Sequence, residues 1–217
     1  MNEPTVRVEE LFKSIQGEGT RAGLPSCFIR TAGCNLECAY CDTRYAAESE
    51  GTALVVGDIV ERVAAMGPDL VCITGGEPLL HASLPELCNL LLGWELTVVV
   101  ETSGSMDISV LPKPVIRIMD VKCPGSGEEG SLQRRNLNRL RPADEVKCVL
   151  TDRRDFEWAR DLVEEHGLAE RCPVLFSPAN GRLQPDRLAK WLLEWGAPVR
   201  LQLQLHRLLW PERAREV

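Results

Sequence analysis

Short β-like runs separated by helical patterns constrain this chain's architecture more than any other feature. They lie at Cys27 to Ala32, Leu70 to Thr74, Leu96 to Glu101, Val115 to Asp120, Glu145 to Leu150, Pro173 to Phe176 and Val199 to Leu205. Several are almost continuously apolar, as strands covered on both faces must be. Between them, Asp58 is placed to cap a helix carrying Ile59, Val63 and Met66 on one face. Asp152 is placed to cap another, with Phe156, Ala159, Leu162 and Val163 leading to a stop at Gly167. Pro185 to Trp195, closed by Gly196, makes a third helix, and Pro85 to Leu92 a fourth. Strands alternating with helices predict parallel pairing through right-handed crossovers. A closed eight-fold barrel needs roughly 250 residues, and this chain has 217. The expectation is therefore an α/β fold, an incomplete TIM-like β/α barrel of about six or seven strands. The stretch Ser103 to Pro114 and the segment CPGSGEEG read as loops, so some crossovers are abbreviated. No linker or internal repeat divides the chain, so residues 1–217 read as one domain, with a charged tail at 211–217 expected to be disordered.

Net charge is −7, and the Lys and Arg residues form no stripe that could follow a phosphate backbone, which disfavours direct nucleic-acid binding and favours a small-molecule substrate. No apolar run approaches a membrane span, and the polar start MNEPTVRVEE does not read as a secretory signal, so the expected location is cytoplasmic. The nine cysteines are an odd number, and without an export signal a disulfide framework is the weaker explanation for them. Cys27, Cys72, Cys88, Cys123, Cys148 and Cys172 stand singly, mostly in apolar runs, where cysteine behaves as a small buried hydrophobe.

Cys34, Cys38 and Cys41 are different, because GCNLECAYCDT brings them into one short loop after the Cys27 strand. A structural zinc site would want a fourth ligand, yet no second Cys-x-x-Cys appears and His81, His166 and His206 are far apart in sequence. Three thiolates on a 4Fe-4S cubane leave one iron open to an exogenous ligand. This arrangement resembles the radical S-adenosylmethionine (SAM) superfamily, in which SAM chelates the open iron. The resemblance makes Tyr40 an adenine contact. It also makes ITGGEP, Ile73 to Pro78, the SAM-amino motif: Gly75 and Gly76 admit close backbone approach, and Glu77 accepts a hydrogen bond from the ammonium. Asp42, Ser103 of ETSG and Lys122 of DVK are placed with the SAM contacts in the same way.

FKSIQGEG, Phe12 to Gly19, followed by FIR, Phe28 to Arg30, and a terminal LQLQLHRLLW taken as a strand, narrows the likeness. With the motifs already given, the chain resembles the 7-carboxy-7-deazaguanine synthase family from Phe12 to Trp210. The resemblance implies a lyase that is a homodimer with an incomplete barrel of the radical SAM type. It converts 6-carboxy-5,6,7,8-tetrahydropterin to 7-carboxy-7-deazaguanine with loss of ammonia, on the route to queuosine and other 7-deazapurines. An electron donor such as flavodoxin or ferredoxin would reduce the cluster, SAM would yield a 5'-deoxyadenosyl radical that takes the C6 hydrogen, and SAM would be regenerated. The cofactor carries the reaction and the protein positions it.

By the same resemblance Gln16, Gly17 and Glu18 form a pterin-reading loop, whose amide and carboxylate complement a pterin edge. Arg30 is a charge inside an apolar strand, and either the substrate carboxylate or a structural salt bridge accounts for it. Thr74 and His206 complete the substrate set, with His206 expected on one strand face with Gln202 and Gln204. Mg²⁺ is implied beside Thr43, with Asp42 in support, since a hard cation takes oxygen ligands. Asp120 and Val121 stand where many members have Ser-Pro, Ser177 stands where some have glutamine, and Arg207 replaces a lysine. Two other classes share part of the pattern: an activase for a glycyl-radical enzyme, and a non-catalytic iron-sulfur electron carrier. QGEG, Arg30 and LQLH argue against the first, and an idle GGEP against the second.

Overall fold

The computed structural model of the chain describes every residue except those at positions 1, 2, 68, 214 and 217. Its strands are β1 (Thr5–Ile15), β2 (Pro25–Thr31), β3 (Thr52–Val55), β4 (Leu70–Gly75), β5 (Thr97–Thr102), β6 (Ile116–Lys122), β7 (Glu145–Leu150), β8 (Val174–Pro178) and β9 (Arg200–Leu201). The α-helices are α1 (Arg44–Ala47), α2 (Val56–Met66), α3 (Leu84–Gly93), α4 (Arg153–Glu165), α5 (Leu168–Arg171), α6 (Pro185–Trp195) and α7 (Leu205–Leu209). All nine strands join one sheet in the order β3-β1-β2-β4-β5-β6-β7-β8-β9. From β2 to β9 every neighbouring pair is parallel, while β1 runs antiparallel to both β2 and β3. Among the described residues the edge strands β3 and β9 do not pair, so the sheet is the open β/α barrel expected, two strands larger than foreseen.

The added strands are β1 and β3. In β1 the charges of VRVEELFK mask the alternation, and a β-bulge between Val8 and Glu10 breaks it. Because strand faces alternate with period two, one extra residue exchanges them. Val6 and Val8 pack in the helix-side core, whereas Phe12 packs against Phe28 on the inner face, their rings stacked at 5.1 Å.

The helices fall close to their expected bounds. Asp152 caps α4 by accepting from the Asp155 N–H at 3.0 Å, and α6 runs from Pro185 to its left-handed stop at Gly196. Asp58 does not cap α2: Val55 is the N-cap residue, and Asp58 sits in the first turn, where its charge still favours the helix dipole. No α-helix joins β5 to β6 or β6 to β7; short 3-10 turns do. The terminal LQLQLH segment departs most from expectation. Only Arg200 and Leu201 pair with β8; the Leu205 N–H then bonds the Gly17 carbonyl at 3.1 Å, and the chain turns into α7 at Leu205. His206 therefore stands in a helical turn and not on a strand. In the tail, Arg215 lies over the Tyr45 ring at 4.5 Å and within 3.3 Å of Glu9; positions 214 and 217 lie outside the described residues.

Both faces of the strands are buried, for different reasons. Outward residues such as Cys27, Ile29, Val71, Ile73, Val98 and Val100 pack under the helices. Inward ones, Phe12, Phe28, Leu70, Cys72, Val99, Ile116 and Ile118, close the barrel floor. The six single cysteines are buried and free, as small hydrophobes. No helix among the described residues is long and apolar enough to cross a membrane.

Candidate active site

One step of two residues along each inward face changes the chemistry. Phe28 is followed by Arg30, Cys72 by Thr74, Val99 by Glu101 and Ile118 by Asp120, while on β7 Lys147 follows the already charged Glu145. The apolar floor thus ends in a ring of polar side chains at the C-terminal ends of the parallel strands, where β/α barrels collect their ligand-binding groups. This ring lines a cavity of about 400 Å³ together with Gln16, Gly17, Glu18, His206 and the loop carrying Cys34, Cys38 and Cys41.

The three cysteines border that one cavity, yet among the described residues no three His, Cys, Asp or Glu side chains converge on a single ion. Burial pushes the Cys34 thiol up and the Cys38 thiol to about 11, opposed in both by the Lys122 ammonium, so cluster binding must displace protons. The Cys41 Sγ stands 3.9 Å from the Thr43 hydroxyl, which donates to the Gly75 carbonyl at 3.4 Å. Thr43 precedes α1 without capping it through its side chain.

The GGEP segment is built against the start of this loop. A Cβ on Gly76 would stand 1.8 Å from the Gly33 carbonyl oxygen, and one on Gly75 (φ +127°) 2.2 Å from that of Thr31. Both glycines are thus required by protein backbone, with Gly76 N–H donating to Thr31 and Glu77 N–H to Gly33. Glu77, expected to face a ligand ammonium, is completely buried and outside the cavity lining. Its carboxylate accepts from Leu79 N–H (3.0 Å), Thr102 Oγ1 (2.8 Å), Ser103 N–H (2.8 Å) and Ser103 Oγ (2.5 Å). Glu77 therefore ties GGEP to ETSG. Ser103 does border the cavity, but its hydroxyl proton is directed at Glu77.

The remaining expected SAM contacts, Tyr40, Asp42 and Lys122, all line the cavity. The Tyr40 hydroxyl donates to the Val149 carbonyl at 3.1 Å, leaving the ring as a wall, with Arg182 6.0 Å from its centroid. Lys122 Nζ lies 3.2 Å from Asp120, so the Asp in place of Ser-Pro carries an ion pair. Ser177 does not reach the cavity; its buried Oγ has no partner among the described residues.

On the opposite wall Arg30 Nε donates to Glu10 at 2.9 Å, and the Tyr45 hydroxyl donates to the same oxygen at 3.0 Å. The bulge in β1 is what sets Glu10 opposite Arg30. Among the described residues the two terminal nitrogens of Arg30 make no hydrogen bond, and Arg30 borders the cavity. Gln16 is buried, and among the described residues its Nε2 has no hydrogen-bond partner. Burial would raise the Glu18 carboxyl, but Lys147 at 2.6 Å and Gln204 at 2.8 Å hold it down at about 2. Burial lowers the His206 pKa against the opposing pull of Glu18 and Asp42, favouring the neutral ring. Thr74 donates to Glu101 at 3.2 Å, and burial raises the Glu101 carboxyl despite the nearby Lys147.

Sequence motifs did not single out Glu10, Tyr45, Glu101, Lys147 or Arg182. A signal for two of these was present: Glu101 ends the apolar run Val98 to Val100, and Lys147 stands inside Val146 to Leu150, both at inward positions.

An open parallel β/α barrel with a three-cysteine loop at its strand ends defines the radical SAM class, and the Radical SAM superfamily matches residues 28–120. The 7-carboxy-7-deazaguanine synthase of Koribacter versatilis is 38% identical over 98% of this chain and its own full length, and that of Chlorobaculum tepidum 39% over 99% of each. The crystal structure of QueE from Escherichia coli superposes with a TM-score of 0.75 at 25% identity, covering 92% of this chain and 94% of that one. The chain belongs to the 7-carboxy-7-deazaguanine synthase family.

Proposed function

We propose that this chain, acting as one domain, converts 6-carboxy-5,6,7,8-tetrahydropterin to 7-carboxy-7-deazaguanine with loss of ammonia. The observation that carries this reading is that Cys34, Cys38 and Cys41 share one cavity with Gln16, Glu18, Arg30, Thr74 and His206. A 4Fe-4S cluster with SAM, when bound, supplies reductive cleavage to a carbon-centred radical. The protein's part is placement. Cys34, Cys38 and Cys41 hold the cluster, and Tyr40, Asp42, Gly75, Gly76, Ser103 and Lys122 surround SAM. The unengaged ends of the Arg30 guanidinium match a carboxylate in a two-point contact. Ionised Glu18 accepts from pterin N–H groups, and the Gln16 amide, with its orphaned Nε2, donates to a pterin acceptor. Thr74 and His206 close the same pocket. Thr43 and Asp42 would offer Mg²⁺ side-chain oxygen donors, the ligand type a hard cation takes.

The same reading takes the enzyme as a cytoplasmic homodimer reduced by flavodoxin or ferredoxin. Its test is the paired variants Arg30→Ala and His206→Ala. Each lowers pterin turnover while cluster absorbance stays at the wild-type level; normal turnover in either removes that residue from the substrate set.

A further inference from the structure

Lys147 belongs to none of the motifs, yet it occupies the centre of the polar ring. Its Nζ lies 2.6 Å from Glu18 and 3.1 Å from Asp120, and its side chain is only 8% exposed. Asp120 in turn reaches Lys122, so a continuous charged chain crosses the cavity from the Glu18 wall to the cluster side. The turn that carries Glu18 is flanked by Gly17 and Gly19, the second in the left-handed region (φ +75°), and has little intrinsic stiffness. Gln204, donating to Glu18 at 2.8 Å, and the Leu205 N–H, donating to the Gly17 carbonyl at 3.1 Å, hold it from the C-terminal side, and strand β7 supplies the other anchors. Glu145 accepts from the Thr20 N–H at 2.8 Å and the Thr20 hydroxyl at 2.5 Å, and two residues along the same face Lys147 holds Glu18.

Removing the ammonium would leave the buried Glu18 carboxylate beside the half-buried carboxylates of Asp120 and Glu101, with Asp120 Oδ1 already lacking a hydrogen-bond partner among the described residues. Buried like charges relieve themselves by taking up a proton or turning away. A protonated Glu18 presents an O–H donor where the substrate edge needs an acceptor. We propose that Lys147 is a positioning residue for the synthase reaction, keeping Glu18 ionised and aimed into the cavity while serving as counter-ion to Asp120. This rests on the reading of Glu18 as the pterin-facing carboxylate.

The experiment compares Lys147→Met, Lys147→Arg, Glu18→Gln and the Glu18→Gln/Lys147→Met pair as reconstituted enzymes. The dissociation constant for 6-carboxytetrahydropterin is measured by anaerobic equilibrium dialysis without reductant, with cluster absorbance and circular dichroism as fold checks. Lys147→Met and Glu18→Gln each weaken binding about tenfold or more, the double variant is no weaker than Glu18→Gln, and Lys147→Arg recovers most of the affinity. Unchanged affinity in Glu18→Gln overturns the reading of Glu18 and this inference with it. Weakened binding in Glu18→Gln with normal binding in Lys147→Met overturns the inference alone, as do losses that multiply in the double variant. Should Lys147→Met not fold, the double variant, which lacks the uncompensated Glu18 charge, decides the matter by the same comparison with Glu18→Gln.

Discussion

Replacing Arg30 separates its ion pair with Glu10 from the substrate contact proposed for it. Its Nε is committed to Glu10 at 2.9 Å, with side chains only 9% and 6% exposed, and its planar group lies 5.6 Å from the Phe12 ring. Arg30→Ala strands the Glu10 carboxylate with the Tyr45 hydroxyl as its remaining donor. Breaking one side of a buried ion pair costs about 3–5 kcal/mol, so denaturant unfolding followed by far-UV circular dichroism should show a loss of that order. Adding Glu10→Gln removes the stranded charge and should bring the deficit down to about 1 kcal/mol, the scale of an ordinary hydrogen bond. Pterin binding should not recover, because the two-point contact to the substrate carboxylate is gone: about 2–3 kcal/mol, or roughly 30- to 150-fold in dissociation constant. The decisive quantity is the affinity of the Glu10→Gln/Arg30→Ala protein. Binding within about threefold of wild type, ~0.6 kcal/mol, would make Arg30 purely structural and refute the substrate assignment.

Gly76→Ala should prevent normal cluster loading, read as lost iron-sulfur absorbance, since its Cβ would collide at 1.8 Å with backbone at the start of the cysteine loop. Alanine at Gly93, where a Cβ meets nothing within 4 Å, should load normally. Far from the cavity, Asp144 is fully buried and paired with Arg117 and Arg141. Burial opposes its charge, but those guanidinium hydrogen bonds bring the carboxyl down from 3.8 to about 2. A depressed carboxyl stabilises the fold above its unfolded value and loses that contribution as pH falls toward the folded value. Asp144→Asn should therefore cost about 2 kcal/mol at neutral pH and show a shallower loss of stability between pH 4 and 2 than wild type.

The parallel half of the fold was legible because its outward and inward faces are both apolar, leaving strands such as Val71 to Ile73 and Val98 to Val100 unmistakable. The bulged strand β1 was hidden because Glu9 and Glu10 interrupt its period, although Glu10 is the partner Arg30 required. The cysteine loop stood out by its spacing because Cys34, Cys38 and Cys41 are local in sequence, and the fold sets all three on one cavity. Glu77 shows the limit of motif reading: Gly-Gly-Glu-Pro marks the turn, but only the fold reveals that Thr102 and Ser103 consume its carboxylate. Lys147 is 129 residues from Glu18, and nothing local in the chain announces a pair made by a turn crossing the barrel mouth. At the C-terminus the Leu/Gln alternation imitates a strand, but the bond from Leu205 to Gly17 draws the chain off the sheet.

The most direct test of the central claim is anaerobic turnover: the reconstituted enzyme with SAM, reductant, Mg²⁺ and 6-carboxytetrahydropterin, followed by mass spectrometry. The account predicts 7-carboxy-7-deazaguanine, with many product molecules formed per SAM. SAM cleavage without that product would retain the radical chemistry and contradict the assigned substrate, directing attention to a protein-activating role. Neither product nor cleavage, from a verified cluster and a competent reductant, would contradict the account at its base.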